Sequence, residues 1–210
     1  MTKNSTSSKM LERAYAVKSS DDVKRLYRDW ADTYDEHLES GLGYRAPELL
    51  SSMLSRVIGD LESKILDVGC GTGLVGSSLS TLGYIDLDGL DFSSDMLEVA
   101  REKRVYKNLI QADLNKKLNF NDAIYDAIIC CGTFTRGHVG PDVLSELMRI
   151  LKRRAPLACT INSSVWIEKE FDRWIEAAIT NGLLALEEKS SEDYFSKSDK
   201  KGFFCLLRKY

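Results

Sequence analysis

The sequence predicts an α/β fold: a mostly parallel sheet of seven strands, with helices on both faces and an antiparallel hairpin at the C-terminal end. Three observations predict it. Short apolar runs alternate with stretches of helical period between residues 64 and 178. Gly69, Gly71 and Gly73 stand together where the first such run meets its helix. The last two strand-like runs follow one another with no helix between them, which suits a hairpin and not a crossover.

Residues 1–20 carry little apolar periodicity after Tyr15 and read as a flexible N-terminal arm, leaving 21–210 as a single domain. From Asp21 the period is helical: Val23, Leu26, Tyr27, Trp30 and Tyr34 form one apolar stripe, which Gly41 and Gly43 break. A second helix begins near Pro47, a residue suited to a first turn, and presents Leu49, Leu50, Met53, Leu54 and Val57 to a core. Residues 64–68 are a buried strand ending in the glycines, and Leu74, Val75, Leu79 and Leu82 mark the helix that follows. Strand 84–90, helix 95–103, strand 107–111 and strand 125–131 come next. Helix 142–151 carries Val143, Leu144, Leu147, Met148 and Leu151 on one face and leads to strand 156–161. Phe171, Trp174, Ile175 and Ala178 mark a last helix, stopped at Asn181-Gly182. Runs 183–189 and 203–207 form the hairpin, joined by a polar turn region.

With 43% hydrophobic and 29% charged residues in 210, the chain has the balance of a globular protein, which excludes disordered, collagen-like and membrane-embedded classes. Residues 1–9 are polar and lack the apolar stretch of a secretory signal, and no run approaches the roughly 20 apolar residues of a membrane span. A net charge of −3 argues against a nucleic-acid partner. The five cysteines show no disulfide framework, so they read as reduced thiols of a cytoplasmic or nuclear protein. With only two histidines, no metal site is expected. A monomer is the default oligomeric state.

The chemistry gathers around Asp67-Val68-Gly69-Cys70-Gly71-Thr72-Gly73. Glycines between a strand and a helix let the backbone turn sharply and let a ligand approach the main chain, and the helix presents free N–H groups to it. Gly71-Thr72-Gly73-Leu74-Val75-Gly76 is literally G-x-G-x-x-G, the dinucleotide fingerprint, a weak signal taken alone. Asp91, at the end of the second strand, suits a ribose diol in NAD and in other nucleoside ligands alike. Asp67 points away from NAD, because a carboxylate there suits a cationic ammonium and suits a pyrophosphate poorly. Asp113, in Gln111-Ala112-Asp113-Leu114, is placed to accept from an exocyclic adenine amine, unless it is simply a turn residue. Phe92 and Met96 are placed to flank an adenine ring. S-adenosylmethionine (SAM) has the ammonium, the ribose diol and the adenine, and no phosphate.

These residues resemble the class I SAM-dependent methyltransferases over roughly residues 23–161. Ile65-Leu66-Asp67-Val68-Gly69-Cys70-Gly71-Thr72-Gly73 is similar to that family's first motif almost letter for letter, Asp91 matches its ribose contact, Asp113 its adenine contact and Tyr125-Asp126-Ala127-Ile128-Ile129 its fourth strand. Within the class, the segments 27–35, 43–47 and 132–139 resemble the small methyltransferase-like proteins of the Williams–Beuren region group. The resemblance implies a Rossmann-like sheet under an N-terminal helical lid, with SAM held by Asp67, Gly69, Gly71, Gly73, Asp91 and Phe92, and by Met96, Asp113, Leu114 and Cys130. Tyr34 either packs on the lid or reaches the methionine end of the cofactor. One departure stands out: Arg153-Arg154-Ala155-Pro156 replaces the family's usual Pro-Gly-Gly before the fifth strand, on the side of the sheet away from the cofactor.

On the acceptor side, Cys130, Cys131 and Gly132 end the fourth strand beside the expected transfer point, the two cysteines as inert thiols and not as nucleophiles. His138, in the loop that follows, is the candidate catalytic base; its other reading is a surface or helix-capping residue. Trp30, Tyr34, Phe134, His138 and Trp166 are expected around the acceptor. No Asn-Pro-Pro-Tyr-type motif follows the fourth strand, which disfavours amide or base nitrogens and leaves a small-molecule acceptor as the expectation. A non-catalytic SAM-binding partner module and a NAD-dependent oxidoreductase are the rival readings.

Overall fold

The computed structural model describes residues 33–136 and 139–210, together with Met10, Arg13, Leu26 and Trp30. Apart from Met10 and Arg13, the expected N-terminal arm lies outside the described residues, as does His138.

Seven strands form one sheet in the order β3-β2-β1-β4-β5-β7-β6. β1 (Ile65–Val68), β2 (Leu87–Asp91), β3 (Asn108–Gln111), β4 (Ala127–Phe134) and β5 (Pro156–Asn162) run parallel. β6 (Leu184–Phe195) and β7 (Ser198–Lys209) are antiparallel, with β7 paired to β5. The helices are α1 (Ala46–Ser55), α2 (Leu74–Thr81), α3 (Ser94–Glu102), α4 (Val143–Ile150), α5 (Ser163–Glu168) and α6 (Phe171–Thr180), and a π-helical segment spans Glu36–Leu42. The strand order reverses between β1 and β4, the switch point where open α/β sheets hold ligands at the carboxyl ends of their strands. The glycines that end β1 open there.

The pleat sorts the core into two halves. Leu66, Val68, Ile128, Cys130, Leu157 and Cys159 face a cluster with α4, α5 and α6. Ile65, Ala127, Ile129 and Ala158 face the other way, into a cluster with α1, Val75 and Leu79 of α2, and Leu26 and Trp30 of the preceding chain. Alternate residues of each central strand are therefore buried on opposite faces, which explains why those strands read as continuous apolar runs.

Several elements differ from the expectation. Gly41 lies within the π-helical segment, and Gly43 alone ends it, with φ 68° and its N–H donating to Glu39 O. β2 begins at Leu87, because Tyr84 turns inward and its hydroxyl donates to Ile58 O at 2.9 Å. Val57 and Leu82 are exposed, since each lies past the last turn of its helix, beyond the reach of the buried stripe. The largest difference is the hairpin. The segment expected as a polar turn region is strand, and only Ser196 and Lys197 separate β6 from β7. Polarity misleads there because β6 is an edge strand with much of its surface in solvent, where charged side chains also block unwanted pairing. Arg154 takes φ 63°, a left-handed conformation that a glycine adopts without steric penalty, so the departure from Pro-Gly-Gly is accommodated with some backbone strain.

Candidate active site

The glycine loop is built by its backbone. Gly69, Gly71 and Gly73 have φ of 70°, 52° and 91°, values that other residues adopt only with strain. Gly69 N–H and Cys70 N–H both donate to Leu90 O, at 2.7 and 3.0 Å, which lashes the loop to the end of β2. At Gly69 a Cβ would also overlap Thr133, whose hydroxyl donates to Val68 O at 3.1 Å. Asp91 closes the arrangement: its Oδ2 accepts from Gly71 N–H and its Oδ1 from Ser93 N–H, both at 2.8 Å. Burial raises the Asp91 carboxyl above its ordinary value, against the backbone N–H donors that lower it.

Asp67 points from β1 into the α1/α2 side of the sheet and is 1% exposed. Its Oδ2 accepts from the Tyr106 hydroxyl at 2.6 Å, and its Oδ1 is buried without a hydrogen-bond partner. Burial, and less strongly Asp91, push its carboxyl up to about 7 against the pull of Tyr106 and Gly76. Tyr106 in turn accepts from Gly76 N–H at 3.1 Å.

The other expected cofactor residues are placed as follows. Phe92 is partly exposed and its carbonyl accepts from Gln111 Nε2 at 3.1 Å, while Met96 is 2% exposed in the first turn of α3. Asp113 closes the turn after β3, its Oδ1 accepting from the backbone N–H and the side-chain amide of Asn115, both at 3.0 Å. Leu114 packs at the edge of the α4–α6 cluster. Tyr34 is half-buried with its ring edge-on to Trp30, 4.7 Å between centroids. Cys130 is fully buried, opposite Cys159 in register.

Beyond Cys130 the end of β4 is irregular. The next pair is Phe134 with Ile161, so the three residues Cys131, Gly132 and Thr133 oppose Thr160 alone. Gly132 N–H donates to Thr160 Oγ1 at 2.9 Å, and the Tyr44 hydroxyl lies 3.6 Å from Cys131 Sγ. Burial pushes the Cys131 thiol up to about 12 and raises Cys130 and Tyr44 further, so all three keep their protons at neutral pH. Neither cysteine is an activated nucleophile. The expected acceptor aromatics divide between the two faces. Trp30 and Tyr34 lie with Tyr44 on the α1 side. Phe134 packs fully buried against Phe171 on the other face, and Trp166 packs on Phe171 and Phe203.

The periodic pattern did not reveal Asp35. It accepts from the Thr72 hydroxyl at 2.5 Å and pairs with Lys103, tying the segment before Glu36–Leu42 to the glycine loop and to the end of α3. Among the described residues no group of three or more His, Cys, Asp or Glu side chains is placed to hold a metal, and no helix is long and apolar enough to cross a membrane.

A family model described as a methyltransferase domain matches residues 65–154, from β1 to the turn before β5. Human methyltransferase-like protein 27 is 34% identical over 171 residues, which are 76% of this chain and 69% of that protein. The chain belongs to the class I SAM-dependent methyltransferases. A second relative of this methyltransferase is the malonyl-[acyl-carrier protein] O-methyltransferase of Halalkalibacterium halodurans, 29% identical over 88% of the chain and 72% of the relative. Among solved structures, a TehB-like SAM-dependent methyltransferase from Corynebacterium glutamicum shares the fold with a TM-score of 0.62 at 21% identity, covering 87% of this chain and 97% of that one. The [4+2]-cyclase SpnF shares it with a TM-score of 0.70 at 17% identity, over 92% and 97% of the two chains. Because a protein described as a cyclase shares the methyltransferase fold, the fold alone does not name the reaction.

Proposed function

We propose that this methyltransferase binds SAM at the glycine loop and moves its methyl group to a small-molecule acceptor. The observation that carries the reading is the orphaned, buried Oδ1 of Asp67 beside a glycine loop held by Asp91. A buried carboxylate oxygen with no donor fits a ligand that brings a cation, and fits a dinucleotide pyrophosphate poorly. Asp91 retains lone pairs on both oxygens for a ribose diol. Phe92, Met96, Asp113 and Leu114 supply the adenine side, Tyr34 bounds the methionine side, and Cys130, its thiol turned into the α4–α6 cluster, offers only its backbone there.

SAM supplies an already activated sulfonium methyl, so the chain's own task is to bind, orient and exclude water. Asp67 and Asp91 anchor the two polar ends of the cofactor. Asp35, on Thr72 and Lys103, keeps the N-terminal segment against the loop. The Tyr44 hydroxyl, which keeps its proton, is a donor beside the end of β4. His138 is the proposed base for an acceptor that must lose a proton, such as a hydroxyl or an ammonium.

The relatives' names do not converge on one acceptor: one is an O-methyltransferase of a carrier-bound malonyl group, another an 18S rRNA guanine-N7 methyltransferase from Arabidopsis thaliana. The net charge of −3 favours the small molecule over RNA. Incubation with methyl-labelled SAM and a fractionated cell extract is expected to place label in the low-molecular-weight fraction. Label confined to RNA or protein would contradict the small-molecule acceptor, and no transfer in any fraction would favour a SAM-binding module without catalysis.

A further inference from the structure

Asp67 has two oxygens, and a residue distant in sequence determines which one is available. Tyr106 follows α3, just before β3, 39 residues along the chain from Asp67. Its ring lies in a cradle of three glycines. A Cβ on Gly73 would come 3.0 Å from Tyr106 Cε2, one on Gly76 would overlap the ring outright, and one on Gly89 would meet Leu109 at 2.8 Å and Cys70 at 3.0 Å as well as Tyr106 Cδ1 at 3.2 Å. Those absent side chains let the phenol cross from the α3–β3 connection to the carboxylate of β1. Gly76 N–H donates to its oxygen at 3.1 Å, which turns the phenol proton toward Asp67 Oδ2, 2.6 Å away.

We infer that Tyr106 is a positioning residue for the cofactor's ammonium group: its hydroxyl occupies one oxygen of Asp67 and leaves the other, buried and unpartnered, as the single point where the cation is accepted. The inference rests on the SAM reading above. Holding the carboxylate by one oxygen fixes its rotamer before the ligand arrives, so little side-chain freedom is lost on binding. It also makes the site selective for adenosyl ligands that carry an ammonium over those that do not, because only the former satisfy Oδ1.

The ionisable surroundings of Asp67 are few. Asp91 comes from β2, Cys70 from the loop and Cys130 and Cys131 from β4, while Lys103 at the end of α3 is paired with Asp35. The thiols keep their protons, as does Tyr106, which burial and Asp67 raise well above the ordinary phenol range. Tyr106 is therefore a donor throughout the working pH range. Its hydrogen bond favours the charged form of Asp67, so removing it makes the carboxyl hold its proton to higher pH.

The test is calorimetric titration of wild type and Tyr106→Phe between pH 6 and pH 9, with S-adenosylhomocysteine and with 5′-methylthioadenosine, which keeps the adenosine and lacks the amino acid. Wild-type affinity for S-adenosylhomocysteine should fall on the acid side of about 7, where Asp67 takes up its proton. In Tyr106→Phe the fall should begin at higher pH, leaving binding on the order of tenfold weaker near neutrality. Binding of 5′-methylthioadenosine should be flat with pH and equal in both proteins. On an Asp67→Asn background the profile should be flat, and adding Tyr106→Phe should leave it so. Equal weakening of both ligands in Tyr106→Phe, or an unshifted profile, would overturn the positioning role while leaving the SAM reading intact. Failure of wild type to bind S-adenosylhomocysteine would overturn both.

Discussion

Asp67→Asn is expected to give a protein that is more stable at pH 8 and binds SAM more weakly. The wild-type carboxyl moves from 3.8 to about 7 on folding, chiefly because it is buried. Between those values the folded chain holds a proton that the unfolded chain has released. Stability therefore falls as pH rises through the window, and the penalty is complete above 7 and absent below about 4. At about 1.4 kcal/mol for each pH unit, the full penalty is on the order of 4 kcal/mol. Asparagine escapes it and keeps an acceptor for Tyr106, but it leaves an amide group without a partner, which returns roughly 1–3 kcal/mol. The net gain at pH 8 should be about 2 kcal/mol, and it should shrink steadily and change sign toward pH 4. Urea unfolding at several pH values checks this; a difference that does not vary with pH would mean that Asp67 ionises normally.

Asp91→Ala should weaken SAM binding by about 1.5–3 kcal/mol, the range of a hydrogen bond to a charged group. The substitution removes the proposed ribose acceptor and also frees Gly71 N–H and Ser93 N–H, so the loop must be ordered by the ligand itself. The sheet should survive, since Asp91 ends its strand and the Leu90 carbonyl still holds Gly69 and Cys70. A second signature follows from charge. Asp91 is one of the groups that raise Asp67, so its removal should move the acid-side loss of affinity to lower pH, opposite to the effect of Tyr106→Phe. Calorimetry on the folded variant checks both effects, and unchanged affinity would mean that the ribose is held elsewhere.

How far the sequence could be read depended on distance along the chain. β1, its glycines and the helix after them are adjacent, so one nine-residue string carried the strand, the positive-φ turn and the acidic side chain together. Strands were legible as continuous apolar runs wherever both faces are buried, as in β4 and β5. That signal failed on β6, an edge strand where polar residues sit in strand, and on the first residues of β7, which pair with β6 alone, so both runs resemble a turn. The contacts that shape the site were out of reach for another reason. Tyr106 meets Asp67 across 39 residues, Asp35 meets Thr72 across 37, and Thr133 meets Val68 across 65. No periodicity links such pairs; the topology brings them together. The glycines gave a faint signal: Gly76 inside a helix and Gly89 inside a strand carry a cost in each element, and Gly76 makes room for the Tyr106 ring while Gly89 makes room for Leu109 and Cys70 as well as that ring.

The central claim is that the loop takes an adenosyl ligand with an ammonium group and no dinucleotide. Calorimetric titration of the wild-type chain at pH 8 with S-adenosylhomocysteine and, separately, with NADH tests it most directly. The account predicts saturable one-to-one binding of S-adenosylhomocysteine, a matching rise in melting temperature by mass action, and no heat with NADH. Saturable binding of NADH with none of S-adenosylhomocysteine would contradict it.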